Sequence, residues 1–132
     1  MSGDVEQLVK VVIDTGFKLH IDMGPGLMES VYETVLASRL EKLGMRVARP
    51  TPIKIEMDGH IFPEAFRADL IVENILLIEL KSLENLMPVH AKQVLTYLRL
   101  ANLPIGLLMN FGADKFKDGL KRLVNNHITD FR

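Results

Sequence analysis

The chain contains no cysteine. That absence removes disulfides, cysteine-ligated zinc, iron–sulfur clusters and thiol nucleophiles together. Net charge is nearly absent as well. Sixteen basic side chains face 17 acidic ones, a formal −1 at pH 7, so no overall field announces a nucleic-acid or membrane partner. Long apolar runs are missing: those near 75–78 and 105–109 have strand length, far short of the roughly 20 residues that cross a bilayer. The opening Met-Ser-Gly-Asp-Val-Glu-Gln lacks the basic-then-apolar pattern of a secretory signal. The expectation is a soluble cytoplasmic protein without a membrane partner. No nucleophile elbow G-x-S-x-G and no phosphate-cradling Walker sequence occurs. The spacing of His20, His60, His90 and His127 matches no zinc-ligand pair. There is no internal repeat, linker or low-complexity tract.

What is present is an ordinary globular composition, 48% hydrophobic and 25% charged over 132 residues. That predicts one domain spanning residues 1–132, with roughly two thirds of the unfolded chain's surface buried. The charge is uneven. Residues 1–90 carry 9 basic and 14 acidic side chains, and residues 91–132 carry 7 and 3. A second basic group comprises Arg39, Lys42, Arg46, Arg49 and Lys54. Such clusters can grip phosphates or simply form a solvated face.

Apolar spacing near 3.6 predicts a first helix from about Val5 to Ile21 and a second from about Leu27 to Leu43. Met23-Gly24-Pro25-Gly26 separates them, and Gly44 is placed to cap the second. Strand territory follows. Met45 to Ala48 reads as a short strand, and Ile53 to Met57 alternates with period two. Asp58-Gly59 signals a hairpin with His60 to Phe62 returning. Phe66 to Val72 and Ile75 to Lys81, apolar at nearly every position, read as central strands covered on both faces. A helix from about Pro88 to Leu100, a strand from Ile105 to Phe111 and a last helix from about Asp114 to Asn125 complete the order. The sum is an α/β or α+β sandwich, a small mixed sheet between helices.

The chemistry concentrates in the two apolar strands. Glu79 and Lys81 are two apart and share a face. If the strands form a hairpin centred on Asn74, Asp69 falls opposite Glu79. Two carboxylates and an ammonium then meet in apolar surroundings, where like charges raise one carboxyl pKa. A Mg²⁺ ion (or Mn²⁺) relieves that conflict, since it favours carboxylates plus waters. It could activate a water against a phosphate, with Lys81 orienting the water or steadying the developing charge. An internal salt bridge from Lys81 to Asp69 or Glu79 is the plainer alternative. Glu29, at the start of the second helix beside its apolar stripe, is either a partner of the helix dipole or a third acid for the site. His20, Arg67, His90, Gln93 and Tyr97 lie near predicted element ends, where single polar groups are more often structural than functional.

Taken together, Gly-Pro-Gly-Leu-Met-Glu-Ser-Val-Tyr-Glu (24–33), Phe-Arg-Ala-Asp-Leu (66–70), Ile-Glu-Leu-Lys (78–81), Pro-Val-His-Ala-Lys-Gln-Val-Leu-Thr-Tyr-Leu (88–98) and Gly-Leu-Leu-Met-Asn-Phe (106–111) resemble the GxxExxY protein family. That family is placed in the PD-(D/E)XK nuclease-like superfamily. The likeness spans roughly residues 5–126. It implies a restriction-endonuclease-like α/β core, a central mixed β-sheet flanked by helices. It implies a metal-dependent nuclease acting on DNA before RNA, with Mg²⁺ or Mn²⁺ held by Asp69, Glu79 and Glu29. Lys81 and Gln93 complete the catalytic set, and His20, Tyr32, Arg67 and His90 match family positions of supporting kind. The basic groups at 39–54 and 115–122 would hold the nucleic-acid backbone. Ala68 stands where the superfamily label has proline. A non-catalytic nucleic-acid- or partner-binding module on the same fold is the alternative, and a homodimer or a protein partner remains open for either.

Overall fold

The computed structural model describes residues 2–126; His127 lies outside them. Helix α1 (Ser2–Met23) is followed by α2 (Glu29–Lys42), β1 (Val47–Ala48), β2 (Thr51–Met57), β3 (His60–Ala68), β4 (Leu70–Val72) and β5 (Leu76–Lys81). Helix α3 (Pro88–Ala101), β6 (Ile105–Asn110), a 3₁₀ turn (Phe116–Gly119) and β7 (Leu120–Val124) follow. Five strands form one sheet in the order β1-β4-β5-β6-β7, and β2 and β3 form a separate two-stranded arm. The sheet is mixed: β5 and β6 run parallel, joined through α3, and the other pairs are antiparallel.

Alternation along β5 divides its neighbours. Leu76, Ile78 and Leu80 join the core built with Val12 and Leu19 of α1 and Leu36 and Leu40 of α2. Leu77 joins Ile71, Leu108 and the α3 residues Val94 and Leu98. Strand β6 is buried at every position, as expected of a parallel strand with helices on both sides. Gly106 is required there, because a Cβ would lie 2.9 Å from Val94 on α3. The expected α/β sandwich with a helix-flanked mixed sheet is thus present.

Helix α2 ends as its sequence suggests. Gly44 has φ +91°, and the amides of Gly44 and Met45 donate to Glu41 and Leu40 at 2.9 and 3.2 Å, a Schellman closure. The loop before α2 depends on Tyr32. Its buried ring stacks on Phe111 with centroids 4.4 Å apart. Its hydroxyl donates to the Gly24 carbonyl at 2.6 Å and accepts from the Leu27 amide at 3.0 Å. Tyr32→Phe strands both backbone groups and should cost about 1–3 kcal/mol, measured by urea unfolding.

Three expectations change. The strand foreseen over Phe66–Val72 breaks at Asp69. Residues up to Ala68 belong to the arm and Leu70–Val72 to the sheet, because the arm pairs β3 with β2 rather than with β5. The return strand after Asp58-Gly59 is also longer than foreseen, running to Ala68. The helix foreseen over Asp114–Asn125 is a 3₁₀ turn and strand β7. Phe116, Leu120, Leu123 and Val124 imitate helical spacing, but the open edge of β6 takes an antiparallel partner there, and tertiary pairing outweighs local preference.

Candidate active site

Glu73 and Asn74 both have φ +54° at the centre of a β-turn closed by the Ile75 amide donating to the Val72 carbonyl at 3.0 Å, and positive φ at both central residues is the type I′ pattern. The turn sets Leu70 opposite Ile78, Ile71 opposite Leu77 and Val72 opposite Leu76. One step further along that register brings Asp69 to Glu79. There the two are interlocked: the Asp69 amide donates to Glu79 Oε1 at 3.1 Å, and the Leu80 amide donates to Asp69 Oδ2 at 2.8 Å. Glu79 is only 6% exposed, and Asp69 is half-buried. Burial, then the neighbouring Asp69 charge, pushes the Glu79 carboxyl up to about 8. A buried carboxyl with this elevation is a feature of sites as well as of structural pairs.

Lys81 ends β5 on the same face as Glu79, half-buried. It makes no ion pair within 4.0 Å among the described residues, so the internal salt bridge is absent. Its positive charge acts on Glu79 only as the smallest of the influences there. The ammonium is left for an external partner.

Helix α2 brings acids to this end of the sheet. Ser82 Oγ donates to the Leu27 carbonyl, which ties the residue after Lys81 to the loop before α2. Glu33, overlooked in the sequence, is the α2 acid that Asp69 feels. Burial, then the Asp69 charge, raises its pKa, while Arg49 opposes the rise. Glu29 occupies the exposed first position of α2 and acts on Glu33. Among the described residues no three His, Asp or Glu side chains form a ready metal cluster. Glu29 lies one helical turn before Glu33, at the exposed end of α2. The donor set that fits a divalent cation is therefore Asp69 with Glu79, two carboxylates whose mutual repulsion such an ion would relieve.

From the other side α3 contributes Tyr97 and Gln93. The Tyr97 ring stacks on Phe66 of the arm, centroids 4.0 Å apart and planes within 5°. Burial, then the charges of Glu79 and Asp69, raises the Tyr97 pKa, and a hydrogen bond with Gln93 opposes the rise. Gln93 is thus placed beside the acids through Tyr97. The Phe66–Tyr97 stack had no signal in the sequence, since 31 positions separate its members.

The remaining expected residues have structural partners. His20 is buried on α1, its Nε2 2.8 Å from the Ala113 carbonyl and its ring beside Phe111 and Phe116. Arg67 is exposed on the arm and donates twice to Glu64, at 2.7 and 3.0 Å. His90 caps α3, its Nδ1 accepting from the Met87 amide at 2.9 Å. Tyr32 fastens the loop described above. Among the described residues, none of the four is joined to Asp69 or Glu79 by a hydrogen bond. The cations foreseen on a last helix instead lie on the 3₁₀ turn and β7, at the sheet edge opposite β1.

A family model described as the PD-(D/E)XK nuclease superfamily matches residues 6–123. A comparison with curated proteins returns no significant match. Among solved structures, one titled "Crystal structure of SSO0001" is similar, with 22% sequence identity and a TM-score of 0.50. The match covers 77% of this chain and 52% of that one, so this chain spans about half of its length. At that identity the likeness speaks for the fold alone; that the fold is restriction-endonuclease-like follows from the family match and the helix-flanked mixed sheet. No helix among the described residues is long and apolar enough to cross a membrane.

Proposed function

We infer that this chain, which belongs to the PD-(D/E)XK nuclease superfamily, hydrolyses phosphodiester bonds in DNA with the aid of a divalent cation. One observation carries the reading: the buried Glu79 interlocked with Asp69, beside a Lys81 that has no ion-pair partner among the described residues. Ionising the buried Glu79 beside Asp69 without a cation is costly, so stability alone gives little reason to keep this pair. A substrate phosphate and a cation supply one.

In this reading Asp69 and Glu79 hold Mg²⁺ or Mn²⁺, which when bound would polarise a phosphate oxygen and ease deprotonation of a water. Lys81 orients that water and offsets negative charge as it develops on the phosphate. Gln93 positions Tyr97 at the mouth of the site. Glu29 and Glu33 add negative charge on the α2 side, drawing the cation in, and Arg49 provides a nearby phosphate contact. We treat residues 1–132 as one catalytic domain. The narrower likeness to the GxxExxY family agrees with Glu29 and Tyr32 standing on the same α2 turn.

The test is cleavage of labelled single-stranded, duplex and branched DNA, and of RNA, by purified protein with Mg²⁺ or Mn²⁺. Cutting that EDTA and Asp69→Ala both abolish is the expected result. Cutting retained by pure Asp69→Ala protein would overturn the assignment of the site. No cutting of any substrate, with no cation binding in calorimetry, would favour a binding module on a nuclease fold.

A further inference from the structure

The β2–β3 arm has one apolar face. Ile53, Ile55 and Met57 alternate along β2, and the register sets them opposite Phe66, Phe62 and His60. Directly opposed residues share a face. At its root this face is covered: Ile53 packs against the α3 side of the core, and Phe66 lies flat on Tyr97. Towards the tip the cover ends. Phe62 is 50% and Met57 57% exposed, and His60, its ring centroid 6.4 Å from that of Phe62, is exposed too. The same face that reaches Asp69 and Glu79 through Tyr97 continues outward as an uncovered aromatic strip.

Charge narrows the occupant. At the tip Glu56 and Asp58 make no ion pair among the described residues, while Arg67, opposite Pro52 at the root, is taken up by Glu64. The tip therefore repels a dense array of phosphates such as a duplex presents. Arg49, before β2 at the root, makes no ion pair among the described residues and donates to the Thr34 hydroxyl at 3.1 Å; Lys54, between Ile53 and Ile55, stands on the other face of the arm. That is a division suited to phosphates near the acids and neutral base faces along the strip. A base face is open to a side chain only when the base is unstacked from its neighbours.

We propose that the exposed aromatic face of the arm stacks on unpaired bases, so that the substrate of the neighbouring acids is a single strand or carries a single-stranded flank. The proposal rests on the nuclease reading and goes beyond it by naming the strandedness and the residues that select it. Phe62 and His60 are the platform, Met57 and Ile55 its apolar surround, and Arg49 at the root the backbone contact. Stacking on one aromatic side chain contributes roughly 1–3 kcal/mol per base, so losing Phe62 should weaken single-strand binding about tenfold or more.

The experiment measures fluorescence anisotropy of a labelled oligothymidylate, alone and annealed to its complement. It uses Asp69→Asn protein in EDTA so that nothing is cut. The expected result is tighter binding of the single strand, about tenfold weaker in Phe62→Ala, restored in Phe62→Trp, with duplex binding unchanged. Leu43→Ala, exposed at the far end of α2, should alter neither. Equal affinity for duplex and single strand, or an unchanged affinity in Phe62→Ala, overturns the proposal. So does a dimer in solution that Phe62→Ala dissolves, since the face would then belong to a second copy. If the unmodified protein cuts duplex and single strand alike, the arm proposal falls and the nuclease reading stands. If it neither binds nor cuts any nucleic acid, both fall.

Discussion

Lys81→Ala should slow cation-dependent cleavage by about 10²–10⁴-fold, the range found when a positioned proton-transfer or charge-stabilising group is lost, while cation affinity stays the same. Lys81 stands at the open end of β5 on the Glu79 face, with no ion pair among the described residues. It is therefore not holding the strand in place through a salt bridge, and its removal should leave urea unfolding close to that of the parent. Lys81→Arg keeps the charge but substitutes a planar fork for a compact ammonium. It should recover only part of the rate. Single-turnover cleavage together with calorimetric Mg²⁺ binding separates the outcomes. A parent-like rate in Lys81→Ala would remove the lysine from the chemistry. A lost rate with equally lost cation binding would make it an electrostatic brace for the acids.

The second large effect is on stability, and it has an unusual direction. Glu79 binds its proton far more tightly in the folded chain than an exposed glutamate does, with a pKa of about 8 against an ordinary value of 4.5. Between these values the folded state holds a proton that the unfolded state has released. Stability from this group is therefore complete at low pH and is lost as pH rises from about 4.5 to about 8, at up to roughly 1.4 kcal/mol per pH unit. The total is on the order of a few kcal/mol. The half-buried Glu33, also raised, adds in the same sense. Glu6, Glu64 and Glu73, lowered by their arginine or backbone partners, oppose it only in acid, where those carboxylates begin to take up protons. Urea unfolding in EDTA across pH 5–9 should show the decline, and Glu79→Gln should flatten it. Saturating Mg²⁺ should reverse it, because a cation replaces the proton between the carboxylates. A flat profile in the parent protein would mean that Glu79 is ionised in the fold without a cation.

The parts of this protein that could be read in advance are those with local causes. The Gly44 cap, the Asp58-Gly59 turn and the Asn74-centred hairpin each depend on residues adjacent in the chain, and the pairing of Asp69 with Glu79 follows from counting outward from a turn. Contacts between distant elements were not readable. Glu33 could not be picked out from its spacing to Glu29, because its nearness to Asp69 depends on how α2 docks over the sheet. Tyr97 could be noted as polar, but its stack on Phe66 depends on the arm folding back to α3. Leu120, Leu123 and Val124 spelled a helix because nothing in their spacing records the unpaired edge of β6. Arg67 and His90 each have a partner three residues away, in Glu64 and Met87, a spacing that could have marked local fastening beforehand.

The turn at Glu73 and Asn74 has a consequence for how this protein tolerates change. Leu70, Ile71 and Val72 are apolar and buried on both faces, as are their partners on β5. Hydrophobic patterning therefore cannot distinguish the native alignment from one slipped by a residue, although a slip would reverse the face of every side chain. The alignment of the acids is encoded mainly by two turn residues that carry no chemistry. Insertions or deletions at that turn should leave a well-packed sheet behind while separating Asp69 from Glu79. In a lineage of such proteins, the length of this turn would then be under as strict a selection as the acids themselves.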